Sequence, residues 1–176
     1  RLLGGLAFSL GLVLVVVGGA ELFTGNTMIV MAWASRRVTL RALLRNWSLV
    51  YLGNLVGATA IAALVSMSGR FDAAGGSMGV RAIEIGEAKS SLGFVEAVVS
   101  GVLANVLVCL AVWMSWSART VTDRIMAVVL PVTAFVAAGF EHSIANMYFL
   151  PAALLHRSWA DDSGALPPST HLSWRA

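Results

Sequence analysis

Charge is scarce in this chain of 176 residues: Asp, Glu, Lys and Arg together make up 12% of it. Soluble domains carry about 25% charged and about 45–50% apolar residues. Here the apolar share is 58% and the mean hydropathy is +0.81. That balance excludes an ordinary water-soluble domain and predicts a chain mostly embedded in a bilayer, for which length gives no domain count. Cysteine is nearly absent as well. The single Cys109 lies inside an apolar run, which excludes an intrachain disulfide and a thiolate cluster and reads as a packing residue. There is no H-E-x-x-H motif, no C-x-x-C motif and no pair of histidines at membrane depth. A membrane-embedded redox or metal subunit therefore has little to build on, and no metal and no cofactor are expected. The net charge of +3 does not point to nucleic acid, because the basic residues fall between apolar runs, where they read as topology signals. The opening apolar run is too long for a signal peptide and ends in no cleavage-like site. The chain starts at Arg1 rather than Met, and so reads as a fragment.

Four apolar segments are present: about 2–34, 47–68, 94–116 and 125–155. A bilayer core takes about 20 helical residues. The second and third segments each fit one straight helix, whereas the first and fourth each exceed thirty residues. Those two long segments carry related strings, Gly19-Ala-Glu-Leu-Phe-Thr-Gly-Asn26 and Gly139-Phe-Glu-His-Ser-Ile-Ala-Asn146, both of the form G-x-E-x-x-x-(G/A)-N. Polar residues at membrane depth are costly and mark transport sites, and irregular backbone survives there only when buried in protein or lining a cavity. Each long segment is therefore expected to be two half-helices joined by a bent polar linker.

The arginines orient the spans. Arg36, Arg37, Arg41 and Arg45 follow the first segment, and Arg119 and Arg124 follow the third. The middle loop has Arg70, Arg81 and Lys89 against Asp72, Glu84 and Glu87, and the tail has Arg157 and Arg175 against Asp161 and Asp162. The basic bias favours cytoplasmic placement of the first and third loops. The Gly-rich middle loop and the Pro-rich tail then face outward. The two motif copies run antiparallel, the arrangement of an inverted-topology repeat. Completing that symmetry calls for one helix before the first segment and one after the fourth. The expectation is a single transmembrane domain over 1–176, part of a three-plus-three protomer whose first and last helices are missing.

The polar residues of the breaks are the site candidates. His142 is the only histidine inside an apolar segment; His156 and His171 are placed in the tail. An imidazole near mid-membrane can donate a hydrogen bond or pass a proton near neutral pH, or it can simply tie the broken backbone together. Glu21 and Glu141 hold equivalent positions and are expected to keep the linkers in shape through freed backbone N–H groups, with a Glu141–His142 proton relay as the alternative. Asn26 and Asn146 are expected to cap half-helices. Thr24 can bond a small anion, bond His142, or cap locally. The positive ends of half-helices would favour an anionic substrate. Asn105 either lines the path or bonds across helices. Phe8, Leu12 and Phe135 precede the breaks and can form apolar constrictions that gate by excluding water, or pack against lipid or core. Gly53 and Gly57 allow close helix packing, and Asn46, Trp47 and Tyr51 mark the inner interface of the second segment.

The motif strings 19–26 and 139–148, with Arg45-Asn-Trp-Ser-Leu-Val-Tyr-Leu-Gly-Asn-Leu-Val-Gly57 and Asn105-Val-Leu-Val-Cys-Leu-Ala-Val-Trp-Met114, resemble the formate/nitrite transporter family. The wording looks closest to formate channels. The resemblance implies an all-α, aquaporin-like inverted-repeat helix bundle with two broken transmembrane helices, assembled as a homopentamer in the cytoplasmic membrane. It implies passive or proton-linked passage of formate, nitrite or a related small anion, with lipid as the other partner. It places His142 at the pore centre with Thr24 nearby. Phe8 and Phe135 would form the outer constriction, Leu12 and Leu22 the further apolar ones, and Phe23, Asn105 and Val108 would line the path. Lys89 matches a basic position that attracts anions to the vestibule, and the first linker matches a mobile loop closing the inner mouth. The chain covers the second to fifth family helices. A water or neutral-solute channel is the rival within transport.

Overall fold

A computed structural model of the protein describes residues 1–73 and 75–161. Among the described residues, helices carry nearly the whole chain and no strand occurs. The helices are α1 (Leu2–Gly18), α2 (Phe23–Asn26), α3 (Ile29–Ala34), α4 (Leu40–Met67), α5 (Ser77–Ser90), α6 (Phe94–Ser117), α7 (Val121–Ala138) and α8 (Ser143–Asp161), with a 3₁₀ turn at Arg70–Asp72. Helices α4, α6 and α7 are each long and apolar enough to cross a bilayer, and α1 with α2–α3 passes the same test as one span bent by 59°. The tail beyond residue 161, expected to face outward, with Asp162, His171 and Arg175, lies outside the described residues.

Both long segments are interrupted where the motif repeats, and by the same device. Gly19 adopts φ 73°, ψ 24°, and Gly139 adopts φ 78°, ψ 24°. In this left-handed conformation a side chain is disfavoured, so glycine stops the helix there. The amide after each glycine turns back to close the end: Ala20 N–H donates to Val15 O at 3.1 Å, and Phe140 N–H donates to Phe135 O at 3.1 Å. This wrap satisfies carbonyls that a broken helix would otherwise leave bare. Beyond the first break the chain is extended at Leu22, then makes the single turn of α2.

The chain divides into two compact units. The first comprises Arg1–Gly53 and Ala97–His142. Here α1 packs antiparallel to α7. Gly5, near the start of α1, lies so close to α7 that a Cβ on it would stand 2.9 Å from Thr133 Cα. At the other end, Val15, Val16 and Gly19 share a cavity wall with Arg124, in the first turn of α7. The core of this unit is Leu12, Ala104, Val108, Ala111, Val128, Val132 and Phe135. Two starts lie earlier than the apolar runs alone indicated. Helix α7 begins at Val121, not near Ile125, because Thr120 and Asp123 form a reciprocal cap: Asp123 N–H donates to Thr120 Oγ1 at 3.1 Å and Thr120 N–H to an Asp123 carboxylate oxygen at 3.0 Å. Helix α4 begins at Leu40, before the span expected from about Trp47, because Thr39 Oγ1 accepts the Ala42 N–H at 3.2 Å.

The second unit comprises Asn54–Glu96 and the described part of Ser143–Ala176. The middle loop, rich in Gly and polar residues, contains α5. This helix was missed because it is too polar to be a span. It buries Gly79, Ile83 and Gly86, a helical stripe of mostly small residues, and packs on α8. A Cβ on Gly79 would run into the imidazole of buried His156, whose ring lies 5.1 Å from that of Phe71. His156, assigned to the tail, is therefore part of α8.

Two substitutions test this construction. Gly139→Ala forces a side chain into the left-handed region at a cost of about 1–2 kcal/mol. Gly5→Leu overpacks the α1–α7 contact by about 1–3 kcal/mol. Both should lower the melting temperature of the full-length protein in detergent; unchanged melting would show that these glycines do not set the geometry.

Candidate functional site

The two breaks meet within the first unit. Thr24, in α2, and His142, at the end of the second break, are 5% and 7% exposed, and Thr24 Oγ1 stands 3.5 Å from His142 Nε2. The pair is 118 residues apart in sequence. The imidazole stacks on Phe135 with ring centroids 5.6 Å apart at 22° and meets Phe8 edge-on at 6.2 Å. Phe8 and Phe135 meet at 5.6 Å and 89°. Leu12 and Val108 belong to the same apolar cluster as Phe135, with Leu22 and Phe8 packed against it. The sequence candidates Phe8, Leu12, Leu22, Thr24, Val108, Phe135 and His142 thus converge. A hydroxyl and an imidazole sit together in an otherwise apolar shell. That arrangement can hydrogen-bond one small polar solute, and an imidazole can donate or take a proton.

The first linker is held on both sides. On one side, Asn26 Nδ2 donates to Glu21 Oε2 at 2.7 Å and to Asn46 Oδ1 at 3.0 Å, and Asn46 Nδ2 donates to Glu21 Oε2 at 3.2 Å. Trp47 Nε1–H donates to Asn26 O at 2.9 Å. On the other side, Asn105 Nδ2 donates to Thr27 Oγ1 at 3.3 Å, and Thr27 Oγ1 lies 3.5 Å from Cys109 Sγ. Asn105 therefore bonds across to the linker, and Cys109 is more than a packing residue. Two expectations change. Asn26 caps no helix start: α2 is preceded by Leu22 and α3 by Met28, and neither makes a side-chain cap. The Glu21 carboxylate accepts from side-chain amides rather than only from freed backbone. The ring of Phe23, expected to line a path, lies against Trp47 at 6.3 Å and Tyr51 at 5.2 Å.

The second linker is tied to α6, where Glu141 N–H donates to Ser100 Oγ at 2.8 Å. Asn146 lies in α8, in the second unit, with Lys89, whose Nζ sits 5.6 Å from the Phe149 ring centroid. Bordering the apolar cluster, a cavity of about 730 Å³ is lined by Leu12, Leu22, Asn26, Ser115 and Arg124, among others. Ser100 and Thr27 stand out in no sequence pattern, and Asn46 and Trp47, expected at the inner interface, also hold the first linker. A serine on an apolar helix carries no signal in one sequence, and the amide and indole contacts depend on where α4 stands.

The match to known proteins is extensive. A family model described as formate/nitrite transporter covers residues 1–175. The chain belongs to the formate/nitrite transporter family. This family member is 49% identical over 160 residues to the formate channel FocA of Escherichia coli (strain K12), covering 91% of this chain and 56% of that protein. It is 44% identical over 155 residues to the formate channel FocA of Haemophilus influenzae, covering 88% and 55%. Among solved structures, a pentameric formate channel with formate bound superposes with a TM-score of 0.86 at 46% identity, over 92% of this chain and 64% of that one. The chain thus spans little more than half the length of these curated relatives. The family, the all-helical architecture and the multi-pass membrane character expected from the sequence all hold.

The linker network makes one prediction. In the full-length protein, Asn26→Ala removes two side-chain bonds from the first linker, so amide hydrogen exchange over residues 20–28 should quicken roughly tenfold. Exchange at the wild-type rate would mean that this network does not hold the linker.

Proposed function

We propose that the full-length protein is a membrane channel for small monovalent anions, formate foremost, with nitrite and related weak-acid anions as further substrates. The chain supplies the second to fifth helices of a six-helix protomer forming one transmembrane domain, assembled as a homopentamer in the cytoplasmic membrane. The similar proteins are formate channels, which favours transport over catalysis. One observation supports the reading most. Two helix breaks from opposite ends of the chain bring Thr24 and His142 within 3.5 Å of one another inside a shell of Phe8, Leu12, Val108 and Phe135.

The physical problem is charge. Stripping an anion of water costs several kcal/mol even after relaxation. Two routes lower that cost. The Thr24 hydroxyl and a protonated His142 can donate hydrogen bonds to the anion, and the break's half-helix ends add positive potential. Alternatively, His142 gives the proton on Nε2 to a carboxylate oxygen of formate. Neutral formic acid then crosses the apolar constriction at Leu12 and Leu22, and the neutral imidazole regains a proton from the side of lower pH. Imidazole titrates near neutrality, so the second route gains weight as the outside becomes acidic. Lys89 collects anions at the outer face by its positive charge.

Proteoliposomes carrying the full-length protein test the proposal, with labelled formate uptake followed from about pH 5 to about pH 8, the range an imidazole spans. Unlabelled nitrite, lactate and hydrosulfide serve as competitors. Wild type should carry formate, and its rate should change with pH. His142→Phe should flatten that response while leaving the pentamer intact. Uptake of neutral solutes without formate would favour the neutral-solute channel, and an unaltered pH response in His142→Phe would remove the imidazole from the proton step.

A further inference from the structure

Serines on the helices of this protein mostly bond back to their own helix. Ser9 Oγ donates to Leu6 O at 2.7 Å, Ser115 Oγ to Val112 O at 2.7 Å, Ser117 Oγ to Met114 O at 2.7 Å, and Ser90 Oγ to Gly86 O at 2.9 Å. Such back-bonding keeps a hydroxyl satisfied without any partner elsewhere. Ser100, in the second turn of apolar α6, makes no back-bond of this kind among the described residues. Its Oγ instead accepts the backbone N–H of Glu141, 41 positions away, at 2.8 Å.

The reason lies in how the second break is closed. Gly139 N–H reaches Val136 O and Phe140 N–H reaches Phe135 O, both at 3.1 Å, and these bonds use up the turn. The Glu141 amide is the first to leave the helix, and Ser100 receives it. The neighbouring Gly101 presents bare backbone to the same residue: a Cβ there would meet Glu141 O at 4.0 Å. Both peptide groups of Glu141 therefore rest on the Ser100–Gly101 step of α6. His142 is the next residue: Ser100 holds the Phe140–Glu141 peptide, Gly101 faces the carbonyl of the Glu141–His142 peptide, and the two together set the direction in which His142 leaves the chain.

We propose that Ser100 is a positioning residue for His142. Its hydroxyl fixes the Phe140–Glu141 peptide and so the backbone of Glu141, which keeps the imidazole stacked on Phe135 and facing Thr24. The inference rests on the reading that His142 handles the transported anion. Without the Ser100 acceptor, the Glu141 amide would have to find another partner, and the change in the backbone angles of Glu141 that this entails would swing the ring away from Thr24 Oγ1. Ser100 touches no substrate in this scheme and acts only through the ring.

A double-mutant cycle in full-length protein tests it, since coupling energies appear only between residues that act together. Formate uptake into proteoliposomes is measured across pH for wild type, Ser100→Ala, His142→Phe and the double variant, with pentamer integrity checked by size exclusion. Ser100→Ala should slow uptake roughly threefold to tenfold, the span of one net hydrogen bond, and should weaken its pH response. In the His142→Phe background the same change should have no further effect. Ser100→Thr, which keeps the hydroxyl, should restore the wild-type pH profile, and it carries the test should Ser100→Ala fail to assemble: a Ser100→Thr profile unlike wild type then overturns the proposal. Equal slowing by Ser100→Ala in both backgrounds would make Ser100 a mere structural support and overturn it too, as would wild-type uptake in Ser100→Ala. If His142→Phe itself leaves the pH response unaltered, the reading of His142 fails, and that outcome is distinct from any loss confined to Ser100.

Discussion

A helix interrupted in apolar surroundings must find partners for every backbone group that the interruption frees, and this requirement organises the first unit. Hydrocarbon offers no water to take them up, and each orphaned group costs several kcal/mol. The protein meets the demand in two stages. Gly19 and Gly139 curl the helix ends back on themselves, so the last carbonyls are bonded within the turn. What the curl leaves over is passed to neighbouring helices: Asn26 O to Trp47 on α4, and the Glu141 N–H and Thr24 O to Ser100 and Cys109 on α6, while Asn46 and Asn105 hold linker side chains.

Helix α6 is therefore more than one wall of a bundle. It holds the second break at Ser100 and the first break near Asn105, separated by little more than one helical turn. Fixing both breaks on one rigid rod fixes their separation. That is how a hydroxyl and an imidazole far apart in sequence come to stand 3.5 Å from each other. The surrounding Leu12, Val108 and Phe135 are nearly fully buried, so the polar pair sits in a setting where few other groups compete for a solute's hydrogen bonds. Low surrounding polarity strengthens each such bond and penalises each one left unmade.

Much of this could be read along the chain. The repeated G-x-E-x-x-x-(G/A)-N string marked both interruptions to the residue, since a glycine that must adopt positive φ leaves its trace in composition. Hydropathy marked the long apolar helices, and the motif wording marked the family. Polar caps were harder. Helix α7 starts before its apolar run because of Thr120 and Asp123, and α4 because of Thr39, and hydropathy is blind to both. Helix α5 was illegible because its buried stripe is largely glycine, which no apolar pattern reveals.

The sequence by itself determined where the helices break, which polar residues ride at the breaks, and which apolar residues flank them. These are properties of local conformation and of periodicity along one strand of chain. Only the tertiary structure decided who satisfies whom: that Asn26 turns to Glu21 and Asn46, that Phe23 rests on Trp47 and Tyr51, and that Ser100 takes the Glu141 amide. Hydrogen bonds are short and directional, so their partners depend on how helices cross, and crossing is settled by the packing of whole faces rather than by any residue's neighbours in sequence.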